Sequence, residues 1–122
     1  MKFIFDSTEK YGPDITLDEN TIKKIFKLTK LKQSDIFYDL GSGNGEIVRQ
    51  AIILCNVKKA VGVEIDYLRF IGSVIRTASL MTKKEQLKIE FIRGDFEKIN
   101  FADATVVYNG LSEDKKTVNL FN

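Results

Sequence analysis

The sequence predicts an α/β protein built on a mainly parallel sheet, and two observations carry that prediction. Short apolar runs rich in branched and aromatic residues alternate with longer segments in which apolar residues recur at helical spacing. Each of the first three runs ends at a cluster of glycine or acidic residues. Alternation of this kind implies crossover connections of one hand and helices packed on a sheet. Ligands of such sheets bind beyond the carboxyl ends of the strands. The expected architecture has three layers, a four-stranded sheet and one domain over residues 1–122, with 1–33 forming an N-terminal loop and helix.

The elements follow in order. The first dozen residues are aromatic and polar and end at Tyr11-Gly12-Pro13, a loop signal. From Thr16 to Leu31, Ile22, Ile25, Phe26 and Leu28 recur at helical spacing with lysines on the other face. Thr16 followed by Glu19 suits a capping box. Ile36–Leu40 reads as a buried strand entering a tight turn, Glu46–Leu54 as the helix after it, and Ala60–Glu64 as a second buried strand. Leu68–Met81 reads as a helix with a broad apolar face of Leu68, Ile71, Ile75, Ala78 and Leu80. Leu87–Ile92 alternates with period two, as a strand exposed on one side does, and Ala104–Tyr108 is the fourth strand. Past Ser112 the chain is polar until Val118, Leu120 and Phe121.

Composition narrows the chemistry. With 43% apolar and 30% charged residues in 122, the chain is an ordinary globular domain. A net charge of +2 with scattered lysines gives no basic patch, so nucleic acid is not an expected partner. One cysteine and no histidine exclude an internal disulfide, a Cys/His zinc site and a histidine base or triad. Cys55 ends the apolar run Ala51–Cys55 and reads as a small buried hydrophobe. No stretch has the apolar length of a membrane span and no secretory pattern opens the chain, so a cytoplasmic location without membrane partners is expected.

The strongest local feature is Asp39-Leu40-Gly41-Ser42-Gly43-Asn44-Gly45, between a strand and a helix. Glycines at every second position permit positive φ and close approach to the backbone. A dinucleotide loop would carry a third glycine where Glu46 stands, and no Gly-Lys-Ser/Thr follows for a phosphate loop. An acid at the helix start also opposes a phosphate. The pattern instead suits a ligand with a cationic centre, bracketed by Asp39 and Glu46. Glu64, closing the second strand, has two acceptor oxygens for the hydroxyls of a ribose, while Asp66 reads as the N-cap of the next helix. In Arg93-Gly94-Asp95-Phe96, Asp95 can accept an adenine amino group and Phe96 can cover a ring face.

Taken together, these motifs resemble the class I S-adenosylmethionine-dependent methyltransferases, over roughly residues 11–111. The order Tyr11-Gly12, Asp39–Gly43, Gly62-Val63-Glu64, Arg93–Phe96 and Val106-Val107-Tyr108-Asn109 is similar to that of the disruptor-of-telomeric-silencing protein-lysine methyltransferases and their small archaeal relatives. The resemblance implies a Rossmann-like methyltransferase fold and S-adenosyl-L-methionine as cofactor. It implies a cofactor site of Asp39, Gly41, Ser42, Gly43, Gly45, Glu46, Glu64, Asp95 and Phe96, and a lysine channel shaped by Tyr11 and Asn109. A protein lysine is the implied substrate. The chain departs from the eukaryotic pattern at Glu46, where the family carries Gln, at Pro13, where it carries Glu, and at Gly110, where it carries a second Asn. The Asn/Asp-Pro-Pro-aromatic run of amino-adenine methyltransferases is absent, since Gly110 and Leu111 follow Asn109.

The family's sheet is longer than four strands. The fourth strand is therefore expected to form an apolar edge that must be covered. The chain's own tail through Leu120 and Phe121, a second copy, or a partner chain would cover it, and an assembly larger than a monomer is predicted.

Overall fold

The structure, a computed structural model, describes residues 18–109 and the backbone of 2–5. In chain order the elements are β1 (Lys2–Phe5), α1 (Glu19–Thr29), β2 (Ile36–Leu40), α2 (Glu46–Cys55), β3 (Lys59–Glu64), α3 (Tyr67–Leu80), α4 (Lys83–Gln86), β4 (Ile89–Arg93), a 3-10 turn at Phe96–Lys98, and β5 (Val106–Asn109). The strands form one parallel sheet in the order β1-β5-β2-β3-β4.

The sheet thus has a fifth strand where four were expected. β1 lies within the segment expected to be loop and pairs with β5, from Lys2 opposite Val106 to Phe5 opposite Asn109. Four residues are too few to show a period, and only the neighbouring edge of β5 gives them a partner. The edge expected to stand open at β5 is therefore paired within the chain, and covering it needs no second chain. The proposed cover by Leu120 and Phe121 lies outside the described residues.

α1 starts at Asp18, whose side chain accepts the Thr21 amide at 2.7 Å. Thr16, read as the cap, lies outside the described residues. The helix closes at Lys30, a left-handed residue with φ 52°. Ile22, Ile25 and Phe26 turn inward as expected, whereas Leu28 is exposed.

The strands alternate between two packed faces. On one, Phe37, Ala60, Val106 and Tyr108 meet Ile22, Ile25 and Phe26 of α1 and Ile47, Val48, Ala51 and Ile52 of α2. Phe26 sits edge-on to Phe37, with ring centroids 5.9 Å apart. On the other, Tyr38, Leu40, Val61, Val63 and Val107 meet Phe96, Ile99, Phe101 and Ala104 of the β4–β5 connection. Tyr38 pins that connection by donating its hydroxyl to Asp103 at 2.7 Å. Burial and the nearby Asp103 carboxylate push the Tyr38 phenol up from its ordinary pKa. Cys55, expected to be buried, is only half-buried.

α3 reverses the expected face. Ser73 and Thr77 are buried, at 0% and 5% exposure, while Leu68, Ile75 and Leu80 are exposed, at 77%, 62% and 67%. Apolar spacing located the helix but not the side it packs, because a polar partner waits inside the protein, as the loop geometry shows. No helix of the described residues is long and apolar enough to cross a membrane.

Candidate functional site

The glycine loop owes its shape to backbone that only glycine adopts without strain. Gly41, Gly43 and Gly45 have φ of 96°, 54° and 86°. The amides of Gly41 and Ser42 both donate to the Val63 carbonyl, at 2.7 and 2.9 Å, tying the loop to the end of β3. Gly45 is required twice: a Cβ there would lie 2.8 Å from the Phe91 ring and 3.0 Å from Arg49 Nη1.

Tyr108, Asp39, Gly62 and Phe91 stand in register across four neighbouring strands. A Cβ on Gly62 would lie 2.7 Å from Ser42 Oγ and 2.8 Å from Phe91, so the missing side chain is what lets Ser42 and Phe91 in. Asp39 is buried, and among the described residues its Oδ1 and the Ser42 Oγ have no hydrogen-bond partner. Buried polar atoms without partners are rare in native proteins, and each calls for a specific explanation. Burial, and secondarily the Glu64 charge, push the Asp39 carboxyl up to about 8.

Glu64 ends β3, 3% exposed. One carboxylate oxygen accepts the Gly43 amide and the other the Asp66 amide, each at 2.8 Å. Each oxygen keeps a further lone pair for another donor. The Glu64 carbonyl accepts the Gly94 amide at 3.0 Å, joining the ends of β3 and β4. The structure therefore brings the expected Asp39, Gly41, Ser42, Gly43, Gly45 and Glu64 together at the ends of β2 and β3.

The other expected residues are placed as follows. Asp95 follows β4 and caps the 3-10 turn, accepting the Glu97 amide at 2.9 Å. Phe96 packs on the face carrying Tyr38 and Val61. Glu46 turns along its own helix, accepting Arg49 Nη2 at 3.1 Å and Gln50 Nε2 at 3.2 Å. Asp66 caps α3 as expected, accepting the Arg69 amide at 2.9 Å. Asn109 is buried at the end of β5, next to β2, where the strand order reverses. Tyr11 lies outside the described residues.

Sequence reasoning missed Arg49. It is 3% exposed and donates from Nη1 to the Asn44 carbonyl at 2.8 Å and to Thr77 Oγ1 at 3.2 Å. Thr77 faces inward to meet it, which accounts for the reversed face of α3. A signal was present: a lone arginine among Ile47, Val48, Ala51 and Ile52, three residues after a glutamate.

The parallel sheet with a glycine loop after the second strand has close relatives among solved structures. The chain matches an RNA methyltransferase from Salinibacter ruber, solved with S-adenosyl-L-homocysteine, at TM-score 0.66 and 28% identity, over 78% of this chain and 60% of that one. It matches an S-adenosylmethionine-dependent methyltransferase from Thiobacillus denitrificans at TM-score 0.67 and 17% identity, over 87% and 40%. The fold is the Rossmann-like methyltransferase fold. Within it, the family model described as histone methylation protein DOT1 matches residues 5–109, and the chain belongs to that family. A protein-lysine N-methyltransferase of Saccharolobus islandicus is 36% identical over 97 residues, which cover 78% of this chain and 57% of that protein. The chain thus spans a little over half the length of that relative.

Proposed function

We propose that the chain is an S-adenosylmethionine-dependent methyltransferase acting on protein lysine. The observation that carries this is the Asp39 carboxyl, buried at the start of the glycine loop near Glu64 and with no partner at Oδ1 among the described residues. Two buried acids and a bare loop backbone fit a cationic nucleoside ligand and oppose a phosphate. When bound, S-adenosylmethionine supplies a methyl group made electrophilic by its sulfonium. In this reading Asp39 faces the ammonium end, the Gly41–Gly45 backbone packs along the methionine portion, and Glu64 accepts from the ribose. Asp95 and Phe96 hold the adenine, and Glu46 acts through the loop.

Methyl transfer by in-line displacement needs no covalent enzyme intermediate, so the chain's task is to position the acceptor and exclude water. A lysine must shed its proton first, and a dry aromatic channel favours the neutral amine. Tyr11 and Asn109 are assigned to shape that channel, and neither is assigned as a base. The lysine relative, the family and the missing amino-adenine run after Asn109 support this substrate.

A second reading keeps the cofactor and changes or removes the turnover: a binding module that works with a second copy or chain. An RNA acceptor is the rival substrate, since an rRNA methyltransferase of Streptomyces thermotolerans is 28% identical over 88 residues.

Calorimetric titration with S-adenosylhomocysteine tests the site. Asp39→Ala is the informative variant, because Glu64→Ala would also strip two backbone amides of their acceptor. We expect affinity to fall about tenfold or more with the fold intact. Unchanged affinity would sink the assignment. Radiolabelled methyl transfer to lysine-rich protein and to RNA, in parallel, then decides the acceptor, and transfer to neither leaves the binding module.

A further inference from the structure

We infer that Arg49 is a positioning residue, whose buried guanidinium bolts the Gly41–Gly45 loop to α3 and holds the loop amides in their binding shape. The inference rests on the reading of that loop as the cofactor seat. Arginine is almost never fully buried unless paired, because taking its charge out of water is expensive. An apolar side chain could fill the same space without that penalty. What the guanidinium adds is reach in several directions at once. It donates to the carbonyl of Asn44, the residue between the positive-φ Gly43 and Gly45, at 2.8 Å. It donates to Thr77 of α3 at 3.2 Å and to Glu46 of α2 at 3.1 Å. Loop, α2 and α3 thus meet on one planar group.

Three further observations point the same way. Gly45 has no side chain in the place where one would come within 3.0 Å of Arg49 Nη1. Thr77 is buried although larger apolar residues of α3 are left in solvent. Glu46 supplies the negative partner that a buried guanidinium needs. Lysine is not an equivalent, since one ammonium cannot fork toward three acceptors set apart from one another.

The test compares Arg49→Met, Arg49→Lys and Thr77→Val in the full chain. The first readout needs no ligand: amide hydrogen exchange at Gly43 and Gly45, whose N–H groups donate to Glu64 and to the Ser42 carbonyl. Exchange there is expected to quicken about tenfold or more in Arg49→Met and less in Thr77→Val, with amides of β2 and β3 unchanged. The second readout is S-adenosylhomocysteine affinity, measured well below the melting temperature. It is expected to weaken about tenfold in Arg49→Met, with partial recovery in Arg49→Lys. A residue that merely stabilises the fold would lower the melting temperature and leave both readouts alone, and that result overturns the inference. If Arg49→Met does not fold, Thr77→Val decides, because it removes the α3 leg and keeps the pair with Glu46. If the wild type itself binds no S-adenosylhomocysteine, the cofactor reading falls, and the exchange data still decide whether Arg49 fixes the loop.

Discussion

Asp39 shows how much chemistry one buried atom can carry. In the fold its carboxyl titrates near 8, whereas in the unfolded chain it titrates near the usual value of about 4. A raised carboxyl contributes stability that is full below the unfolded pKa and is lost as pH rises through the folded one. Between about pH 4 and 8 the ligand-free protein should therefore lose stability from this group, and Asp39→Asn should flatten that slope in thermal melts. A cationic group arriving beside Asp39 favours the charged form, so ligand binding at pH 7 should release a proton. Calorimetry in buffers of different ionisation enthalpy reads this directly, and Asp39→Asn should abolish it. Glycines differ as sharply. Gly43 has open space around a hypothetical Cβ, so Gly43→Ala should cost about 1 kcal/mol, for the left-handed backbone alone. Gly45→Ala meets Phe91 and Arg49 as well and should cost clearly more. Denaturant titration of the two variants separates strain from collision.

At the level of elements, β2 to β5 and the loop were legible in the sequence, while β1 and one helix face were not. Ile36–Leu40 and Lys59–Glu64 are buried runs closed by glycine or acid, and such runs have no other stable place than a covered sheet. The loop residues Asp39, Gly41, Gly43 and Gly45 could be singled out because their spacing matches no phosphate-binding pattern. α3 could be located but not oriented, because its inward side is chosen by Thr77 meeting Arg49, a contact 28 residues apart in sequence. The four-residue β1 could not be found at all, since its reason for being a strand is the edge of β5. Glu46 could be singled out from its place at the helix start, whereas its pairing with Arg49 is visible only in the folded chain. The reversed face of α3 gives its own prediction. Ile75 is largely exposed, so Ile75→Lys should change stability by no more than about 0.5 kcal/mol. If α3 instead packed by its apolar stripe, the same variant would unfold the protein.

For the molecule as a whole, β1 decides whether β5 presents a bare edge. Removing residues 1–5 should strip Val106–Asn109 of one neighbour and expose unpaired amides and carbonyls. We expect the shortened chain to melt lower and to self-associate, as read by light scattering; a monomer of unchanged stability would show that β1 contributes nothing. The order β1-β5-β2-β3-β4 has a wider consequence. The chain steps outward from β2 to β4 and then returns past two strands, along the opposite face, to enter β5. Neighbours laid down on separate passes leave a cleft between their tips, and Asp39, one residue before the end of β2, and Asn109, the last of β5, stand on the two strands that border it. In the proposed reading the seat for the cofactor is set by the route of the backbone, and evolution of the lining can change the guest without relocating the room.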